Sequence, residues 1–89
     1  MNKTQLIQID IENWRFVLYE APSKEWFGDF VYSPISVVDL SMLIKLSDDE
    51  KLKASKDRSF LIELSENIRN NHKTFLQRAL DRELFILDK

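Results

Sequence analysis

The sequence predicts an α+β domain: a three-stranded antiparallel meander followed by two or three helices and a short C-terminal strand, packed as a two-layer sandwich. Three observations predict it. Apolar and polar residues alternate at period two through the first third of the chain, the pattern of strands with one buried face. Further on, apolar residues recur at steps of three and four, the period of an amphipathic helix. One Gly and two Pro among 89 residues permit few sharp turns, hence a few longish elements.

The elements follow in order. Ile7, Ile9 and Ile11 alternate with Gln8 and Asp10, a first strand with the isoleucines on its buried face. Glu12-Asn13 is a turn or bulge, after which Trp14, Phe16 and Leu18 continue the alternation with Arg15, Val17 and Tyr19 opposite. Ala21-Pro22-Ser23-Lys24 is the clearest turn, because Pro22 presets its own φ and Ser23 can bond the local backbone. The third strand covers residues 26–32, where Gly28 marks a bulge or a close approach to the backbone. Pro34 stops extended pairing, and Ser36 with Asp39 resembles an N-cap for a first helix over residues 37–45.

Ser47-Asp48-Asp49-Glu50 has the form of a capping box that starts a short helix. Leu61, Leu64, Ile68, Phe75 and Ala79 then lie on one stripe, predicting a single long helix over residues 57–82. Residues 83–87 form a last strand, with helix continuation as the rival reading. No repeat, linker or low-complexity tract divides the chain, so residues 1–89 are read as one domain.

Composition narrows the function classes. With 44% hydrophobic and 31% charged residues, the chain belongs with folded proteins and not with disordered ones. A formal net charge of −2 argues against nucleic acid as a default partner, since phosphate binding needs clustered Lys and Arg. The absence of Cys excludes disulfides, thiolate metal sites and Cys nucleophiles, and fits a reducing compartment. No apolar run has the length of a signal peptide core or a membrane span, so a cytoplasmic location is expected.

The catalytic inventory is thin. The one His, His72, lies at the edge of the helical stripe, four residues from Ile68 and three from Phe75, as a boundary core residue. Asp48, Asp49 and Glu50 fit the first turn of a helix, and they lack the spread of oxygen ligands and the Gly of a calcium loop. Lys51, Lys53, Lys56 and Arg58 follow those acids and are expected to pair with their neighbours. Arg69 and Lys73 project from one side of the long helix and Arg78 and Arg82 from nearly the opposite side, flanking the apolar stripe. No enzyme activity, cofactor or metal is expected.

The aromatic residues point elsewhere. Seven of them, Trp14, Phe16, Tyr19, Trp26, Phe27, Phe30 and Tyr32, fall within the first 32 residues. A regular pleat sends Trp26, Phe30 and Tyr32 to one face and Phe27 and Val31 to the other. A sheet apolar on both faces must be covered twice, by helices or by another molecule, and Trp and Tyr are enriched at interface hot spots. Trp26, Phe27, Phe30, Tyr32 and Trp14 are therefore the candidate partner-binding residues. The expected partner is a second copy, as in a homodimer, or another protein blocked in the manner of small inhibitors and immunity proteins. A nucleic-acid accessory role and a small ligand-binding domain or enzyme are the alternatives.

Ile35-Ser36-Val37-Val38-Asp39-Leu40, then Ile68, Asn71, His72, Phe75 and Ala79, and finally residues 84–88, resemble a family of short proteobacterial proteins of unknown function. In that family an N-terminal sheet leads into an Ile-Ser-x-x-x-Leu helix start, a long helix and a closing strand with an acid. Ile68 and His72 stand where the family has Phe and Arg. The resemblance implies a bacterial origin and a fold, and no activity.

Overall fold

Alternation places large apolar side chains on both sides of the central strands, and the architecture follows from covering both sides. The structure is a computed structural model and describes residues 3–13, 15–35 and 38–87. Five strands form one curled sheet: β1 (Thr4–Glu12), β2 (Phe16–Glu20), β3 (Trp26–Ile35), β4 (Val38–Lys45) and β5 (Phe85–Leu87), in the order β4-β3-β2-β1-β5. β1 to β4 pair antiparallel in sequence, and β5 returns to lie parallel to β1. Between β4 and β5 come α1 (Asp48–Lys56), α2 (Ser59–Asn70), the single turn α3 (His72–Phe75), and 3-10 turns at Leu76–Arg78 and Arg82–Leu84.

One face of the sheet carries Phe16, Leu18, Phe30, Tyr32, Met42, Ile44 and Leu46, packed under Ala54 of α1 and Leu61, Leu64 and Ile68 of α2. The opposite face carries Tyr19, Ala21, Phe27 and Leu43 with Leu6 of β1, and is covered by Leu80, Phe85 and Leu87. The C-terminal segment reaches that face as a strap. The Leu80 amide donates to the Leu43 carbonyl at 2.7 Å on the free side of β4, Arg82 binds Asp29 and Ser41, and Phe85 packs on Phe27 with ring centroids 5.3 Å apart. The molecule is thus helix, sheet and strap, where a two-layer sandwich was expected.

The predicted helix over residues 37–45 is a correction: Val38–Lys45 is a strand. Met42 and Ile44 are buried on the helix-covered face and Leu43 on the strap-covered face, so consecutive apolar residues all find cover, and that run reads as helix by periodicity. The helix start of the resembled family therefore falls on strand, and Ser36, the expected cap, lies outside the described residues. β3 also continues through Pro34 to Ile35; Pro34 sits in the register irregularity between Tyr32 and Ile35, where the ladder does not call on its missing N–H.

The long helix is a second correction. It breaks at Asn71 (φ −131, ψ 39), whose side-chain amide donates to the Asn67 carbonyl at 3.2 Å and to Asn67 Oδ1 at 2.9 Å. Short polar side chains that bond the backbone compete with helix propagation. The capping box at Ser47 is as expected: Ser47 Oγ accepts from the Glu50 amide at 3.2 Å while Glu50 Oε1 accepts from the Ser47 amide at 2.8 Å. The turn before β3 is also as expected, closed by the Lys24 amide donating to the Ala21 carbonyl at 2.8 Å. Its last residue, Lys24, takes φ 75. Residues 85–87 are strand and not a continued helix.

Candidate partner-binding edge

The five rings expected to bind a partner do not form an exposed cluster. Phe30 is fully buried against Phe16, with centroids 6.1 Å apart. Phe27 and Tyr32 are buried in the two cores. Trp26 is half-buried, its Nε1 donating to Glu20 Oε2 at 3.1 Å and its face under the Lys51 ammonium. Trp14 lies outside the described residues. The strap supplies the second cover, for which the sequence reading offered a helix or another molecule, and this is why the rings leave so little area for a partner.

Large apolar side chains are exposed one by one at Leu40, Leu52, Leu76 and Leu84, and several together on β1. Ile7 and Ile9 keep 52% and 44% of their surface, Ile11 47%, and Ile86 on the neighbouring β5 51%. The regular alternation predicted one buried face, but a bulge between Gln8 and Asp10 shifts the register. Ile7 stands opposite Glu20, and Asp10 and Glu12 opposite Leu18 and Phe16, so these side chains share the helix-covered face. Gln8 and Ile11 stand opposite Tyr19 and Val17 on the other face. An extra residue inverts every side chain beyond it, and the isoleucines therefore cannot all turn inward.

β1 has neighbours on its two sides over different stretches. Residues 7–12 pair with β2, whereas on the opposite side β5 pairs only with residues 4–6. On that side residues 7–12 have no strand beside them among the described residues. The far end is closed by side chains. The Ile11 amide donates to Asp10 Oδ1 at 2.7 Å, and the Ile11 carbonyl accepts from Arg58 Nη2 at 3.0 Å.

Arg58, at the entrance to α2, also binds Asp10 Oδ2 through Nε at 2.7 Å and Glu12 Oε1 through Nη1 at 2.8 Å, while lying 5.5 Å from the Phe16 ring centroid. Hydrogen bonding to Arg58 holds the Asp10 carboxyl below the usual carboxylate range against the opposing effect of burial, and the two carboxylates push the Arg58 guanidinium up. Charged side chains on an edge obstruct strand addition. What stays open is the window of residues 7–10, between the end of β5 and the Arg58 plug. Two carboxylates share one guanidinium there, leaving a local charge of about −1 by simple charge counting.

The basic residues considered for nucleic acid are mostly engaged inside the fold. Lys53 pairs with Asp49 at 3.2 Å, Lys51 donates to the Lys24 carbonyl at 2.5 Å, and Arg58 is held as above. Arg78 forks onto Glu50 at 2.7 and 3.1 Å and reaches the Lys45 carbonyl at 3.0 Å. Burial pulls the Glu50 carboxyl upward, but the Arg78 and Ser47 hydrogen bonds outweigh it and leave it below its ordinary range. His72 stacks on Tyr32 with centroids 5.2 Å apart, half-buried as a boundary residue, and its Nδ1 has no hydrogen-bond partner among the described residues. Among the described residues no three His, Cys, Asp or Glu side chains converge as a metal site, and no helix is long and apolar enough to cross a membrane.

No family model matches the chain, and comparisons with curated proteins and with solved structures return no match. The signal that would have found the edge is faint: Arg58 is 46 residues or more from the carboxylates it holds, and nothing local announces the bulge.

Proposed function

We propose that this is a non-enzymatic protein-interaction domain that receives an extended strand of another protein along residues 7–10 of β1. The observation that carries the reading is an unpaired stretch of edge flanked by exposed Ile7, Ile9 and Ile86. Main-chain hydrogen bonds supply affinity in strand addition, and pockets or patches for alternate side chains supply selectivity. An apolar edge left open in a folded domain otherwise invites aggregation, and the plug at Arg58 limits the opening to a few residues.

The partner is a different chain, not a second copy. Two copies of β1 pairing antiparallel about a two-fold axis keep corresponding faces together. With Ile7, Asp10 and Glu12 on one face and Gln8 and Ile11 on the other, a face-matched register that uses the open window sets Ile7 opposite Asp10 or Glu12 of the other copy, since the register centred on Ile7 needs Gln8 beside Leu6, where β5 already sits. Apolar meets carboxylate in each. A partner strand with an apolar residue toward Ile7 and a basic residue toward Asp10 satisfies both.

The experiment is photo-crosslinking in the native host, with the photoreactive residue at position 9 or, as a control, at exposed Glu63 of α2. A discrete adduct from position 9 alone is expected, lost when Ile7 is also changed to Lys. Adducts of equal strength from both positions, or from neither, would overturn the reading.

A further inference from the structure

On the opposite flank of β1 from the open edge lies a groove of about 570 Å³, a size typical of small-molecule sites. It arises because β2 pairs with β1 only from Ile7 onward, while Ala21, Pro22 and Ser23 turn away into the bend before β3. Thr4 and Gln5 therefore face a gap, floored by the rings of Phe27 and Phe85 at 5.3 Å and 54°. The floor is apolar and the rim polar.

Its charges are unequal. Glu25 is already held by the Lys45 ammonium and accepts the Ser23 hydroxyl at 2.9 Å, and these bonds keep its carboxyl below its ordinary range. Lys3 is exposed on the same rim and has no ion pair among the described residues. The uncompensated charge at the mouth is therefore positive and lies above an aromatic floor. A ligand that satisfies both carries a carboxylate next to a flat or branched hydrocarbon.

We infer that this groove binds small amphipathic carboxylates, the hydrocarbon lying on Phe27 and Phe85 and the carboxylate meeting the Lys3 ammonium. The inference is independent of the strand-binding proposal, since none of Ile7, Ile9, Asp10 and Ile86 lines the groove.

The test is a ¹⁵N-resolved titration of the whole chain with 4-phenylbutyrate and with its uncharged amide. The acid is expected to saturate shifts at Thr4, Gln5, Ser23 and Phe27, with a dissociation constant in the millimolar range or below, and to bind about threefold more tightly than the amide, the ratio that one exposed ion pair of about 0.6 kcal/mol supplies. Lys3→Met should erase that ratio by weakening the acid, with changes in the ligand-free spectrum confined to the neighbours of position 3. Phe85→Leu should weaken both ligands. Shifts that do not saturate, shifts centred away from the groove, or equal affinity for acid and amide would each overturn the site.

Discussion

Gly28 offers the sharpest test of the helix-covered core. It faces Leu18 and Ile44 across the sheet, and the Phe30 ring lies over it. A Cβ at position 28 would sit 2.3 Å from Phe30 Cε2 and 2.5 Å from Cζ, whereas ordinary contact begins near 3.4 Å. The ring must retreat by about 1 Å, yet Phe30 is fully buried and braced by Phe16, so it has little room to yield. Gly28→Ala is therefore expected to cost about 2 kcal/mol, within the ~1–3 kcal/mol typical of overpacking. For a domain of this length that lowers Tm by roughly 10 °C.

Phe30→Leu leaves a hole when made alone, but it also removes the atoms that clash. The double variant should then be about 1 kcal/mol or more better than the sum of the singles. Thermal and urea unfolding followed by circular dichroism give all four values. Gly28→Ala within about 0.5 kcal/mol of the parent, or strict additivity of the pair, would refute the packing argument.

Three further perturbations follow from the same contacts. Lys24→Gly should stabilise by up to about 1 kcal/mol, because φ 75 is strained for a residue with a Cβ and open to Gly; an unchanged or lower urea midpoint would count against that conformation. Glu50→Gln tests pH linkage: a depressed carboxyl contributes stability that is present above its unfolded pKa and lost as pH falls through the lower folded one, so the parent's advantage over the variant should hold at neutral pH and vanish on acidification below the usual Glu range near 4.3. An advantage independent of pH would contradict the Arg78 pairing. Arg58→Ala leaves the Asp10 and Glu12 carboxylates without the guanidinium they share and should let the Asp10 carboxyl rise toward its ordinary range, read by NMR titration of the side-chain carboxyl; an unmoved titration would contradict the pairing.

What the sequence makes legible is local. The capping box at Ser47 and the turn at Ala21 to Lys24 each depend on neighbours within a few residues, and each forms; of the strand expected over residues 83–87 only residues 85–87 form, held by β1 from the other end of the chain. β4 is missed because Leu43 packs under the strap while Met42 and Ile44 pack under the helices, so apolar residues run together without alternation. The helix break at Asn71 is signalled only by two successive asparagines, against a periodicity that continues past them. Gly28 shows the reading working in part: close approach was one of its two options, and the pairing with β2 runs through Gly28 without a bulge.

The candidate site is less legible. Counting rings identifies a sheet with two apolar faces correctly, but it cannot tell that the covering strap comes from the same chain. The exposed isoleucines look like a buried face because their alternation is perfect in sequence and is broken only by a bulge against β2. Which cations are engaged is equally hidden, since the Arg58, Arg78 and Arg82 partners lie 28 to 53 residues away.

The most direct measurement is amide exchange across the chain, free and in the complex isolated through the position-9 adduct. Protection gained at residues 7–10, with α2 unchanged, is the predicted outcome. Unaltered exchange along β1, with new protection confined to the helices or the strap, would contradict a strand seated on this edge.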